Sequence, residues 1–200
     1  MSTPSIVFST LTLRDALDLA ILIEEEAEER YEELADQMEI HHTKEAASFF
    51  HWMSSEEARH GSELRERRQQ LFPGAGRTIS RAMLWDVKAP GYDQVHAFMT
   101  LREAMQTALG AEEKAQAFFE AALPQMRDGE ARSLFEGLRD KEARFHVQVE
   151  RDLASLSACR RSRRASRTRC SPCRRSQARA ACGQVAWIRS KRPSSSSRPK

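Results

Sequence analysis

The stretch SSEEARHGSEL, residues 54–64, places Glu57 and His60 three residues apart. On a helix that spacing stacks a carboxylate and an imidazole on one face, a minimal grip for a cation. Upstream, Glu24 lies in the run Leu13, Leu17, Ala20, Glu24, Ala27, Tyr31, Leu34 and Met38, which advances by threes and fours. Two later segments repeat the arrangement. One gives Leu101, Met105, Ala108, Glu112, Ala115, Phe119, Ala122 and Met126; the other gives Ala131, Phe135, Leu138, Glu142, Phe145 and Val149, with His146 one step aside on the same face. Each glutamate therefore sits in an apolar stripe, away from the solvated side of its helix.

Acids in such places need compensation. An ionised carboxylate taken into an apolar core costs several kcal/mol even after relaxation, and four close together repel one another. No Lys or Arg lies on the central part of these stripes. Two divalent cations would neutralise four carboxylates, and the imidazoles would add neutral nitrogen ligands. Mixed carboxylate and imidazole ligation suits iron or manganese better than thiol-seeking metals. A single Glu-x-x-His is commonplace; four seam glutamates with two face-matched histidines are a constellation. Glu25, Glu56 and Glu113 neighbour the set but point off the seams, and His41, His42, His51 and His96 read as loop or surface residues. Tyr31 is either packed in the core or hydrogen-bonded to a ligating glutamate.

The elements that must position these residues are helices. Segments 12–38 and 100–126 agree at a shift of 88 residues, pairing Thr12 with Thr100, Glu24 with Glu112 and Met38 with Met126. Each opens on a Thr followed three residues later by an acid, a capping box. A second pair, 45–60 and 130–145, matches at a shift of 85 and aligns Glu57-Ala58-Arg59 with Glu142-Ala143-Arg144. The periodicity predicts helices over 12–38, 43–71, 100–126 and 128–156. Short links near residues 39–42 and 124–129 make antiparallel hairpins. Residues 72–99 hold three glycines and two prolines and are too long for a hairpin turn, so they read as a crossover. The expected fold is all-α, a four-helix bundle of two repeated hairpins.

Six positions together, Glu24, Glu57 with His60, Glu112, and Glu142 with His146, resemble the ferritin-like di-iron carboxylate proteins, most closely their rubrerythrin branch. The run EEEAEERYEEL, with a Glu seven residues before Tyr31, is similar to rubrerythrins too. The resemblance covers about residues 10–156. It implies two iron ions, or manganese, held by those six residues, with Glu57 and Glu142 bridging, Glu24 and Glu112 terminal, and one histidine on each metal. It also implies reduction of hydrogen peroxide, or oxidation of ferrous iron by dioxygen, with Tyr31 beside the four glutamates and electrons returned by an external donor. Oxidative-stress defence and iron homeostasis would be its setting, and a homodimer its assembly. The alternatives are an iron delivery or storage module without peroxidase turnover, and a structural helical bundle. The second half-motif departs from the pattern, because Phe145 stands where His60 has its repeat mate and the histidine follows at 146.

Charge divides the chain. Residues 155–200 hold 14 Lys and Arg and no acid, which leaves 18 bases against 29 acids in the rest. The expected organisation is a ferritin-like domain over 10–157 and a disordered Arg/Ser-rich tail over 158–200. Electrostatic affinity for nucleic acid is confined to that tail. All four cysteines (159, 170, 173 and 182) lie there, at spacings that match no standard metal knuckle or secreted disulfide framework. The tail also reads as an out-of-frame product or the replacement of a lost domain. No signal-like leader or membrane-spanning run appears, so a cytoplasmic location is expected.

Overall fold

A computed structural model describes residues 6–83 and 87–167. Among these, four long helices account for the architecture and no strand forms: α1 (Leu13–Ile40), α2 (Lys44–Leu71), α3 (Leu101–Ala122) and α4 (Gly129–Arg167). The four helices make the ferritin-like bundle that the sequence predicts. Two compact units divide the chain, residues 1–147 and 148–200, with α4 passing from one into the other. Everything said below about the site concerns the first unit.

The predicted caps are present. The Thr12 hydroxyl accepts from the Asp15 amide while the Asp15 carboxylate accepts from the Thr12 amide, and Thr100 with Glu103 repeats the box on α3. Between α1 and α2 the chain reverses within three residues. His42 takes a left-handed φ of 59° and the Thr43 amide donates back to the Met38 carbonyl at 2.9 Å, closing the end of α1. At Ala122 α3 gives way to a 3-10 turn over Leu123–Gln125, because Pro124 cannot donate to an α-helical ladder. That is four residues short of the predicted end. In the other direction, α4 runs ten residues past the expected boundary, since nothing before Pro172 in that Ala/Arg-rich run breaks a helix. The remainder of the predicted tail, with Cys170, Cys173 and Cys182, lies outside the described residues.

The stripes bury as their spacing demands. Leu17, Ala20, Ala27, Leu34 and Met38 of α1, Phe50 and Met53 of α2, Ala108 and Ala115 of α3, and Phe135 and Leu138 of α4 are buried. Phe119 meets Phe135 edge to face with centroids 5.1 Å apart, locking α3 to α4. The crossover returns over the bundle and is pinned to α1 at several points. Buried Asp18 is gripped by Arg68 of α2 and accepts from the Thr78 amide at 3.0 Å. Arg77 reaches Glu25 at 2.8 Å, and Arg81 reaches Glu29 at 2.5 Å.

Candidate metal centre

Four glutamates, one per helix, point into the bundle's middle. Glu24, Glu57, Glu112 and Glu142 are each no more than 2% exposed, and His60, one turn along α2 from Glu57, is 4% exposed. Those values exclude bulk water, so each charge has to be met by the protein or by an ion. Glu24, Glu57 and His60 each offer a ligand atom within 4.8 Å of the other two, the geometry of a shared cation site. The His60 Nδ1 lies 3.4 Å from Glu57 Oε2 and 3.9 Å from Glu24 Oε2.

A cation is already among them, and it corrects the electrostatic reading of the sequence. Lys88, carried in by the crossover, is 1% exposed. Its Nζ donates to Glu57 Oε2 at 2.6 Å, Glu24 Oε2 at 3.0 Å and Glu142 Oε1 at 3.2 Å, and lies 3.9 Å from Glu112 Oε2. The stripes hold no central base, as read; the counter-charge comes from outside them. A motif scan restricted to helical faces misses it. The available signal was the charge deficit itself, together with a lone lysine between Val87 and Ala89-Pro90, the one lysine of the crossover.

One ammonium cannot satisfy four carboxylates, and the remaining acids hold protons instead. Burial pushes Glu24 up to about 8, Lys88 opposing and Glu57 reinforcing the shift. Burial likewise raises Glu112 well above the carboxylate range. For Glu142 burial pulls upward, but Lys88 and the hydrogen bond from Glu112 outweigh it and leave the group below its usual value. Neither Glu112 oxygen has a fixed donor, so its hydrogen bond to Glu142 requires the proton that burial places on it. Glu24 pairs with Glu57 in the same manner. Burial also lowers His60 to about 4, which keeps its ring neutral, as a ligand must be. An Arg59 guanidinium nitrogen sits 3.2 Å from His60 Nε2; because arginine only donates, the ring proton belongs on Nδ1 in this arrangement. As a ligand through Nδ1, His60 would carry its proton on Nε2 and lose the Arg59 hydrogen bond.

The other sequence-predicted residues, His146 and Tyr31, are placed as follows. His146 is half-buried with Nε2 at 3.1 Å from Glu113, and it joins no group of three metal-capable donors among the described residues. Phe145, in the register of His60, stacks on Trp52 with centroids 5.6 Å apart. Tyr31 is buried with its ring on Phe50 at 6.1 Å, and its hydroxyl makes no hydrogen bond.

The donor chemistry fits a divalent transition metal. Hard carboxylate oxygens, a neutral imidazole and a Glu112 carboxyl without a fixed donor converge in a dry cavity, and the lysine ammonium marks where positive charge belongs. A solved structure of a conserved, uncharacterised protein from Magnetospirillum magnetotacticum aligns with a TM-score of 0.55 at 30% identity, covering 72% of this chain and 95% of that one. A hypothetical protein from Pyrococcus furiosus aligns at 23% identity with a TM-score of 0.42, over 74% of this chain and 92% of its own. None of the curated proteins compared matches the chain. The rubrerythrin family profile matches residues 15–150, a span that contains all four helix seams and their glutamates, and the chain belongs to the rubrerythrin family.

Proposed function

We propose that this protein is a non-haem di-iron oxidoreductase that reduces hydrogen peroxide, in the manner of the rubrerythrins it is related to. The observation that carries the reading is the convergence of Glu24, Glu57, His60, Glu112 and Glu142 in a water-excluded core. Those five residues would hold the metal; His146 would join them on exchanging Glu113 for it. Bound iron would supply the two electrons that, with two protons, turn one peroxide into two waters.

The chain's own residues do the rest. Glu57 and Glu142 present oxygens to the same ammonium from opposite hairpins and would hold the metal between them. Glu24 and Glu112 would give up their protons to bind metal, which offsets two of the four positive charges that two divalent ions bring. Phe50, Met53, Met105 and Phe135 wall the bundle with apolar surface and keep bulk water from the centre. Electrons come from an external donor.

The test is metal analysis followed by rapid mixing. Anaerobically loaded ferrous protein should retain close to two irons per chain and oxidise faster with peroxide than with dioxygen. Glu57→Ala should lose the metal. Faster oxidation by dioxygen would instead favour ferrous-iron handling, and a chain that retains neither iron nor manganese would be a structural bundle.

A further inference from the structure

Lys88 is a buried charged group that meets the metal-binding glutamates and that the metal-binding reading does not use. It arrives on a short strap, Val87-Lys88-Ala89-Pro90, in which all four residues are buried. Two side chains from different helices fasten the strap's backbone. Arg30 of α1 donates to the Pro90 carbonyl at 2.6 Å, and Lys114 of α3 donates to the Ala89 carbonyl at 3.1 Å. Arg30 also lies 3.7 Å over the Tyr92 ring, whose hydroxyl donates to Glu33 at 2.5 Å. The strap is therefore an anchored element that aims an ammonium into the carboxylates.

That ammonium takes the metal's place atom for atom. The candidate triad uses Glu24, Glu57 and His60. The Glu24 and Glu57 oxygens nearest His60 Nδ1 are the Oε2 atoms, and Lys88 Nζ is bonded to the same two atoms at 3.0 and 2.6 Å. A transition metal bound to a carboxylate sits about 2 Å from its oxygen. Any ion ligated by both Oε2 atoms would stand in contact with the ammonium, cation against cation and without water between them. Both cannot be seated at once.

We propose that Lys88 is a built-in competitor for the metal: its ammonium and a divalent cation claim the same Glu24 and Glu57 oxygens, and loading requires the lysine to be withdrawn by release of the 87–90 strap. The inference rests on the metal-binding reading above and adds a regulatory element to it. In the metal-free protein the lysine holds the carboxylates together and keeps the core from swelling. In the loaded protein it belongs outside the centre, with the Arg30 and Lys114 anchors broken or re-formed elsewhere. The strap is then a sensor of occupancy on the face where α1 and α3 receive the crossover.

Manganese(II), which is redox-inert under these conditions, separates the outcomes, with free ion read by electron paramagnetic resonance at pH 7 in the full chain. Lys88→Met, which keeps length and removes charge, should bind manganese at least about ten-fold more tightly than the wild type, the equivalent of one charge-assisted hydrogen bond. In the wild type, manganese should raise hydrogen exchange at the amides of residues 87–92. If Lys88→Met fails to fold, Arg30→Ala decides the matter, because it loosens the strap and keeps the ammonium: tighter binding supports the proposal and unchanged binding overturns it. Equal affinity in wild type and Lys88→Met, with strap exchange unaltered, overturns the proposal and leaves the metal centre standing. Absence of manganese from every variant overturns both.

Discussion

The protonated glutamates give the metal-free protein an unusual dependence of stability on pH. Glu24 titrates at about 8 in the folded chain against 4.5 unfolded, so between those values the native state holds a proton that the unfolded state has lost. Its stabilisation is complete below pH 4.5 and is lost as pH rises through 8. His60 has the opposite sign: lowered from 6.5 to about 4, it favours the unfolded chain at low pH, and its penalty vanishes above 6.5. From 4.5 to 6.5 the two slopes cancel. From 6.5 to 8 Glu24 acts without that opposition, and at 1.36 kcal/mol per pH unit the stability falls by about 2 kcal/mol. Glu112, raised in the same direction by burial, adds to the fall. The groups facing Glu24 from the packed elements are Glu57 and His60 of α2, Glu112 of α3, Glu142 of α4 and Lys88 of the crossover. Asp15, Glu25, Glu63, Glu103 and Glu142 are all lowered, so they act below about pH 4.5 and leave this window clear.

Urea unfolding followed by circular dichroism at 222 nm, in chelator from pH 5 to 8.5, measures the curve. A shallow decline to about pH 6.5, set by Glu112, and a steeper one beyond it are expected. Glu24→Gln should remove about 1.4 kcal/mol per pH unit of that decline, since glutamine keeps the shape and cannot ionise. A wild-type curve that stays level or climbs between 6.5 and 8 would show that these acids are ionised in the folded core, and the account of two carboxyl pairs around one ammonium would fail.

Four further substitutions probe individual contacts. His60→Ala should weaken the tightest manganese site more than ten-fold, whereas His146→Ala, whose Nε2 meets Glu113, should leave that site within two-fold, both by equilibrium titration. Tyr31→Phe removes a buried hydroxyl that has no hydrogen-bond partner, so the metal-free protein should be unchanged or up to about 1 kcal/mol more stable in urea. His42→Gly should raise stability by about 0.5–1 kcal/mol, because φ is 59° there and only glycine takes that region freely; a loss of stability would mean that the His42 side chain contributes to the turn.

The helical frame was legible in the sequence because its signals are local. Steps of three and four place Leu17, Ala20 and Glu24 on one buried stripe, and Thr12 with Asp15 caps it through atoms three residues apart. The four glutamates followed from the same periodicity. Less legible were features set by contacts between distant residues. Lys88 lies 64 residues from Glu24 and 54 from Glu142, on a crossover without repeating pattern, and no spacing rule connects them. The Asp18 clamp with Arg68 and Thr78 was hidden for the same reason. His146 shares a face with Glu142 through its four-residue spacing, and its Nε2 lies 3.1 Å from Glu113, an acid 33 residues away that no spacing rule connects to it.

The repeat explains why the centre has a polar half and an apolar half. Two identical hairpins would set an imidazole beside Glu142 as His60 stands beside Glu57. This chain puts Phe145 in that register and stacks it on Trp52 of the other hairpin. It also sets Phe119 where the first hairpin has Tyr31. Lys88 reports the resulting field: its Nζ is at 2.6 and 3.0 Å from the acids of the first hairpin and at 3.2 and 3.9 Å from those of the second. Glu112, the carboxyl farthest from the ammonium, is kept neutral by burial, as Glu24 is in the first hairpin. Positive charge, whether ammonium or metal, is drawn to the Glu24, Glu57 and His60 side, and a first metal ion entering the bundle meets its strongest ligands and its competitor at the same place.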